Sequence, residues 1–265
     1  NISAATIKPH ITSKTAAIMV VHYAGKAVDM QPILDLGFLV IEDAAHAVDT
    51  FVNGKACGTF GDIGVYSFDG VKNIAAGEAG GITIQDDLIF KKAIKLRYSG
   101  IGHSGFELVK DKKIWWENDI EAVFPKMLAS DITAAVALGQ FETLGNRQTI
   151  RKKLWQNYQN AFANVPYITI PHEAKAGETH SFFTYFIQVP QRDKLALYLL
   201  QNDVYTTLRY FPLHLHSIYA QTHACLPNTA LLHYHGLNLP LHPGVTDAEQ
   251  AKVIELLLDH TKWMV

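Results

Sequence analysis

The pattern of apolar and polar positions predicts alternating strands and helices in the first third of the chain. Residues 16–21 and 38–41 are short continuous apolar runs, which suit buried strands of a parallel sheet because both faces of such a sheet are covered. Residues 30–36 between them are predicted to form a short helix. Strand, helix and strand in this order is the βαβ pattern of an α/β fold.

A second pair of predicted strands flanks a lysine. Residues 63–68 are of β type and lead to Lys72, and a further strand is predicted over 81–84. A lysine that must reach a buried electrophile needs backbone that packs closely around the ligand, and the alanines and glycines of residues 75–81 supply it. The alternative is an ordinary surface hairpin with a solvated lysine.

Two acidic residues follow the predicted strand over 38–41. Glu42 and Asp43 lie where that strand ends, which is the edge of an α/β sheet at which ligands bind. A carboxylate there can hold a pyridine nitrogen protonated through a charge-assisted hydrogen bond. An amine such as that of Lys72 can form a Schiff base if desolvation lowers its pKa.

Several motifs resemble, in order, those of the DegT/DnrJ/EryC1/StrS family of fold-type-I pyridoxal 5′-phosphate (PLP)-dependent sugar aminotransferases. The resemblance is carried first by EDAAHA, GKACGTFGDIGVYSF, KN and GEAGG between residues 42 and 81. It extends to four further segments: VVHYAGKAVDM near the start, SDITAAVALGQ in the middle, and RYFPLHLHSIY and LNLPLHPGVTD towards the end.

The resemblance implies roles for four residues of the first motifs. Lys72 matches the lysine that forms the Schiff base with PLP, and Asp43 matches the partner of the pyridine nitrogen. Ser67 matches a phosphate ligand. His46 matches the residue near the phenolic oxygen of the ring, where many relatives carry Gln.

Three residues further along match positions that bind the cofactor or the substrate. Lys126 corresponds to the residue that reaches across a homodimer to the partner's cofactor phosphate, although Phe124-Pro125 replaces the usual Gly-Tyr before it. Arg209 and His214 match the segment that approaches the nucleotide-sugar, and an interior salt bridge is the alternative for Arg209. His214 and His216 are expected on one side of a strand or loop, but a third metal ligand is lacking and no metal site is predicted.

The implied activity is an aminotransfer with shared active sites in a homodimer. The amino group passes from an amino acid, in the family usually L-glutamate, to a nucleotide-linked keto-deoxysugar for aminosugar biosynthesis. A truncated or catalytically idle homologue acting as a dimerising or binding subunit is one alternative, and a PLP-dependent sugar dehydratase is another. The presence of Lys72 favours aminotransfer, since the dehydratases of the family carry His there.

The predicted fold is α/β of the fold-type-I PLP-dependent transferase class, with a mostly parallel sheet flanked by helices. Residues 1–145 are expected to form the remainder of the large PLP-binding domain and residues 146–265 a small C-terminal α/β domain. The chain begins with Asn1 in a segment that resembles the middle of the family's large domain, so the N-terminal part of that domain is expected to be absent from this sequence.

Further elements follow from periodicity. Helices are predicted over 88–96, over 132–144 with Ser130 or Asp131 as N-cap, and over 147–163, with Gly145 as the interruption. Leu154, Tyr158, Ala161 and Phe162 are expected to face inward. The small domain is predicted to hold four elements: strands over 182–189 and 204–210, and helices over 192–202 and 247–260, the last capped by Thr246.

Two features remain open to alternatives. His22 follows the predicted strand over 16–21, so it either faces the active site or is a satisfied structural histidine. The pair Trp115-Trp116 lies in a predicted loop and forms either a lid over the nucleotide-sugar or packing at a subunit interface.

Composition is compatible with this interpretation. The chain has 265 residues, of which 48% are hydrophobic and 18% charged, and it can bury a substantial core. A formal net charge of −2 without basic blocks argues against nucleic acid, and no apolar run is long enough for a membrane span. Two cysteines, Cys57 and Cys225, lack metal-ligand spacing and are predicted to be free structural thiols of a cytoplasmic protein.

Overall fold

The computed structural model describes residues 1–102, 105–110, 114, 116, 119–222, 225–259 and 262–263. The chain forms two compact units. The first comprises Asn1–Glu142 together with Gly177–Thr179, and the second comprises Thr143–Ala176 and His180–Val265. No helix within the described ranges combines the length and the apolar character needed to cross a bilayer.

A four-stranded sheet organises the first unit. Its strands are β1 (Ala17–Val21), β2 (Leu39–Asp43), β5 (Ile63–Ser67) and β6 (Gly80–Ile84), in the order β1-β2-β5-β6. The first three are parallel and β6 is antiparallel to β5. Val21 pairs with Asp43, and Asp43 pairs with Val65, so the carboxyl ends of three strands lie along one edge.

Smaller elements complete the first unit. Its helices are α1 (Ala4–Ile7), α2 (Gln31–Leu34), α3 (Asp87–Arg97), α4 (Gly105–Lys110) and α5 (Asp131–Glu142), and β3 (Phe51–Val52) pairs with β4 (Lys55–Ala56). The segment 177–179 returns from the second half of the chain, where Asn53 N donates to Gly177 O at 2.7 Å and Thr179 N donates to Phe51 O at 2.9 Å.

The predicted βαβ unit is confirmed with shifted bounds. Strand β2 begins one residue later than the apolar run and continues two residues further, so Glu42 and Asp43 are its last residues. One face of the sheet packs on α2, with Ile18, Val20 and Val40 around the fully buried Ile33. The opposite face is only partly covered among the described residues, with Met19, Leu39 and Ile82 exposed, whereas the apolar runs predict coverage of both faces.

The second unit packs helices on a two-stranded antiparallel sheet. Its helices are α6 (Leu144–Phe162), α7 (Arg192–Gln201), α8 (Pro227–His235) and α9 (Asp247–Leu258), and its strands are β7 (Tyr185–Gln188) and β8 (Gly236–Leu239). Leu154, Tyr158 and Phe162 are buried as predicted, and the Tyr158 ring lies 4.9 Å from that of Tyr185. Ala161 packs against this core while partly buried.

Helix ends follow capping chemistry. Ser130 Oγ accepts from Thr133 N at 3.2 Å, which confirms it as a cap of α5. Thr246 forms a capping box with Glu249 at the start of α9, as expected from the sequence. That helix ends at Leu258, and the predicted terminal residue His260 lies outside the described residues.

Two predictions in this part of the chain are wrong. The helical break occurs at Thr143 and not at Gly145, which lies inside α6 because one helical glycine costs only about 1 kcal/mol. Residues 204–210 form no strand, and only Thr207 makes an isolated bridge to Asn238. The strand that pairs with β7 is β8, where buried Asn238 accepts from Thr184 Oγ1 at 2.6 Å.

Candidate active site

Three loops meet at the carboxyl edge of the sheet. Residues 22–25 follow β1, residues 44–47 follow β2, and residues 68–79 join β5 to β6. The first two loops contact each other, because Ala24 N donates to His46 Nδ1 at 3.3 Å. Ala44 N donates to Val65 O at 2.8 Å and ties the second loop to β5. The edge therefore gathers the residues that follow three separate strands.

Lys72 lies in the loop between β5 and β6. Two backbone hydrogen bonds of 2.8 Å, from Phe68 N to Ala79 O and from Ala76 N to Phe68 O, close the base of this loop. The segment is a hairpin, as in the alternative of a surface hairpin with a solvated lysine. The lysine itself is not solvated, because Lys72 is only 8% exposed. An amine held largely out of water is the kind that can react with an aldehyde.

Asp43 is the last residue of β2 and is partly buried. Its Oδ1 accepts from Ala45 N at 3.0 Å, and its backbone oxygen accepts from His22 N at 3.0 Å. The carboxylate and the main-chain oxygen of Asp43 are thus each held by one backbone N–H group. Among the described residues no side chain bonds its second oxygen, Oδ2, which can accept a hydrogen bond from a ligand.

His46 and Ser67 occupy the same edge. His46 is buried, its Nδ1 accepts from Ala24 N, and its ring centre lies 5.7 Å from that of Tyr23. Ser67 is the last residue of β5, opposite Gly80, and its Oγ accepts from Asp69 N at 3.4 Å. The edge therefore offers an imidazole and a hydroxyl beside the carboxylate and the amine.

This donor set fits PLP. Lys72 would supply a buried amine for the aldehyde, Asp43 a carboxylate for the pyridine nitrogen, and Ser67 a hydroxyl for the phosphate. These are the groups by which a protein binds and tunes this cofactor. No group of three His, Cys, Asp or Glu suited to a metal ion occurs in the described parts of the chain.

Lys126 lies elsewhere in the first unit. It is exposed, forms an isolated bridge with Tyr98, and holds its ammonium 5.6 Å from the centre of that ring. Met127 N donates to Arg97 O at 2.8 Å and attaches this segment to the end of α3. Its assignment to a partner subunit's phosphate stays a prediction.

Arg209 and His214 belong to the second unit. The guanidinium of Arg209 lies 5.4 Å from the centre of the Phe183 ring, a cation–π geometry that sequence analysis did not anticipate. His214 lies in a 3₁₀ turn over Leu213–Leu215. His216 follows this turn in extended backbone, with its ring centre 5.0 Å from that of Phe211, and the expectation that His214 and His216 share one side stays a prediction. Their substrate contacts stay predictions.

The tryptophan pair is only partly described. Trp116 is 65% exposed. Trp115 lies outside the described residues, as does His223. Neither the lid nor the interface alternative is tested by this exposure.

A buried pair next to the site was not recognised as a unit from the sequence. His22 Nε2 lies 2.8 Å from Glu42 Oε2, both side chains are fully buried, and His22 Nδ1 accepts from Val28 N at 3.1 Å. Of the two alternatives for His22, the satisfied structural histidine is confirmed. Alternation along β2 could have indicated it, since consecutive residues of a strand point to opposite faces and Glu42 therefore lies away from Asp43.

Local electrostatics distinguishes the groups around this pair. Burial alone raises the pKa of Glu42, but hydrogen bonds from His22, Gly61 and Gly58 outweigh it and lower that pKa below its ordinary value. Burial raises the pKa of the Cys57 thiol to about 12, with smaller contributions from neighbouring carboxylates. Cys57 is thus an inert structural thiol, as predicted, whereas Cys225 is free but exposed.

Comparison with known proteins identifies the family. The DegT/DnrJ/EryC1/StrS aminotransferase family matches residues 1–258. The chain is 33% identical, over 92% of its length, to a dTDP-4-dehydro-2,3,6-trideoxy-D-glucose 4-aminotransferase of Saccharopolyspora spinosa, and 31% identical, over 96%, to the GDP-perosamine synthase of Vibrio cholerae. It spans 65% and 68% of these relatives.

A solved structure gives the same result for the fold. The aminotransferase TlmJ from Streptoalloteichus hindustanus superposes with a TM-score of 0.90 at 30% identity, and the match covers 99% of this chain and 70% of that one. The fold is therefore that of a fold-type-I aminotransferase. The chain belongs to the DegT/DnrJ/EryC1/StrS family of PLP-dependent aminotransferases.

Proposed function

We propose that this protein transfers an amino group from L-glutamate to the keto carbon of a nucleotide-linked deoxysugar, using PLP. The observation that carries the proposal is the buried amine of Lys72 in the loop that leaves the same sheet edge as Asp43. Amine and carboxylate at one edge are what PLP chemistry on an amino acid requires. The family match supports the reaction class.

Each residue of the edge has a distinct task in this proposal. When bound, PLP supplies an electron sink for charge that develops on the substrate carbon. Lys72 would hold the cofactor through its Nζ, and its free amine would remove the proton from the substrate Cα as general base, carry it, and give it back as general acid. Asp43 keeps the pyridine nitrogen protonated, while Ser67 binds the phosphate and His46 lies by the phenolic oxygen.

The substrate class rests on the relatives and on the second unit. The two curated relatives are named for a dTDP-sugar and for GDP-perosamine, so a nucleotide diphosphate is the group they share. Arg209 offers a planar fork for a diphosphate, and His214 lies five residues further along the same segment. We assign both to the nucleotide-sugar, and Lys126 to the cofactor phosphate of the second subunit in a homodimer. The free cysteines support a cytoplasmic setting.

The test is product formation by the purified polypeptide as its gene encodes it. The protein is incubated with PLP, L-glutamate and either dTDP- or GDP-linked 4-keto-6-deoxysugars, and mass spectrometry follows the aminosugar and 2-oxoglutarate. We expect both products in equal amounts with the native chain and with Lys91→Ala, whose lysine is exposed on α3, and neither with Lys72→Ala. Sugar turnover without 2-oxoglutarate would indicate a dehydratase. PLP-free protein that turns over no sugar would indicate a binding subunit.

A further inference from the structure

The buried pair of Glu42 and His22 is the strongest feature that the proposed reaction does not use. Both side chains have no exposed surface. Glu42 Oε2 accepts from His22 Nε2 at 2.8 Å and from Gly58 N at 2.7 Å, and Oε1 accepts from Gly61 N at 2.6 Å. A carboxylate buried in a protein is retained only where such donors replace its water.

The histidine is equally committed. Val28 N donates to His22 Nδ1, so the proton of the neutral ring lies on Nε2 and is donated to Glu42. The backbone of His22 adds a further bond, because its N–H donates to Asp43 O at 3.0 Å. His22 therefore holds both residues of the Glu42-Asp43 dipeptide, one through its ring and one through its main chain.

The turn that supplies the other donors is shaped for this contact. Gly58 has a φ of +90°, which favours glycine, and a Cβ there would lie 2.5 Å from Tyr66 Oη. No other residue fits while Tyr66 Oη donates to Cys57 O. The backbone N–H groups of Gly58 and Gly61 are thus presented to Glu42 by a turn that sequence variation would disrupt.

The hydrogen bonds to Glu42 hold the residue directly before Asp43, which belongs to the candidate site. Glu42 and Asp43 are consecutive in β2, so their side chains point to opposite faces of the sheet. A twist of the strand end that moved Glu42 would also redirect Asp43. On the other flank, Ala44 N donates to Val65 O, which holds the residue after Asp43.

We propose that His22 and Glu42 form a positioning pair for Asp43, which ties the end of β2 to the end of β1 and to the Gly58–Gly61 turn and so sets the direction in which the Asp43 carboxylate meets the pyridine nitrogen. That the Asp43 carboxylate meets the pyridine nitrogen of PLP rests on the proposed function. The pair touches neither cofactor nor substrate and acts only through Asp43.

The test compares Glu42→Gln with a matched change at the other end of the same strand. Asp62 Oδ2 accepts from Val40 N at 2.7 Å near the start of β2, so Asp62→Asn makes the same carboxylate-to-amide change away from the site. PLP affinity is measured by absorbance titration, together with the visible spectrum of the bound cofactor and the unfolding temperature of cofactor-free protein. Ile33→Ala serves as a purely destabilising core variant.

We expect Glu42→Gln to weaken PLP binding about tenfold, because the amide turns a donor towards a buried N–H. Its spectrum should shift in the same direction as that of Asp43→Asn. Asp62→Asn and Ile33→Ala should keep the native spectrum, even where the unfolding temperature falls. His22→Gln, whose amide N–H reaches the position of Nε2, should retain the native spectrum, whereas His22→Ala should not.

The outcomes separate the two proposals. If the native protein binds no PLP, the proposed function fails and this inference fails with it. If the native protein binds PLP but Glu42→Gln keeps the native spectrum, or Ile33→Ala shifts it equally, only the positioning role is overturned. Should Glu42→Gln not fold, the contrast between His22→Gln and His22→Ala decides.

Discussion

Two regions with assigned roles are built in different ways. One is the carboxyl edge of the sheet in the first unit, which carries Asp43, Ser67 and Lys72 and is called the cofactor edge below because we assign the cofactor to it. The other is the Arg209–His214 segment of the second unit. Asp43 and Ser67 end paired strands, and backbone hydrogen bonds fix Asp43 on both sides. The segment from Arg209 to His214 forms no regular strand and includes a 3₁₀ turn. Strand register thus fixes Asp43 and Ser67, two of the groups assigned to the cofactor, while an irregular segment carries those assigned to the substrate, which suits a family whose members differ in their sugars.

Removing the Asp43 charge should have the largest effect on catalysis. Asp43→Asn keeps the shape of the side chain but cannot hold a pyridine nitrogen protonated, so kcat should fall by at least about 10²-fold. Single-turnover conversion of L-glutamate measures this step without the sugar. An Asp43→Asn protein that converts glutamate at the native rate would show that another group holds the cofactor ring.

A change at Arg209 should instead alter substrate binding alone. Arg209→Lys keeps the charge but loses the planar fork, and we expect the KM for the nucleotide-sugar to rise about tenfold with kcat nearly unchanged. Lys194→Arg on α7 is the control for altered charge geometry at the surface. A fall in PLP affinity of Arg209→Lys would contradict the division of tasks between the two segments.

Acid should weaken the cofactor edge through Glu42. A carboxyl group whose pKa is lower in the folded than in the unfolded chain stabilises the folded state above the unfolded pKa, and this stabilisation is lost as the pH falls through the folded pKa. The ordinary value is 4.5 and the folded pKa lies below it. We expect the unfolding temperature of the cofactor-free protein to decrease when the pH is lowered below about 4.5. This decrease should be shallower in Glu42→Gln than in Asp62→Asn.

The smallest expected effect concerns the second unit. Thr246→Ala removes the side chain that accepts from Glu249 N at 3.2 Å at the start of α9. Loss of such a cap costs about 1 kcal/mol in the free energy of unfolding, which denaturant titration measures. PLP affinity should stay unchanged. Thr246→Ser, which keeps the hydroxyl, should be near native in both measurements.

The positions of Asp43 and Lys72 at one edge of the sheet could be predicted largely from the sequence because the signals are local. Strands β1 and β2 each come from one continuous apolar run. The acidic residues Glu42 and Asp43 directly follow the second run. The motif with Lys72 lies in the hairpin loop that follows β5. Burial of Lys72 was the expected condition for its role, and the structure meets it.

Features that depend on distant partners escaped prediction. Strand β8 was not predicted because it contains the polar residue Asn238. This side chain is buried only because Thr184 Oγ1 donates a hydrogen bond to it. The segment 177–179 returns to the first unit through bonds to Phe51 and Asn53 that no local pattern reveals. Likewise, strand alternation separates the faces of Glu42 and Asp43, but the buried partners of Glu42, which are His22, Gly58 and Gly61, become visible only in the structure.

The most direct measurement asks which lysine holds the cofactor. The purified protein is loaded with PLP, treated with borohydride to fix the linkage, digested, and sequenced by mass spectrometry. We expect one pyridoxyl group per chain, on Lys72, and its absence from Lys72→Ala. A label on another lysine, or none on the native protein, would contradict the assignment of this sheet edge as the active site.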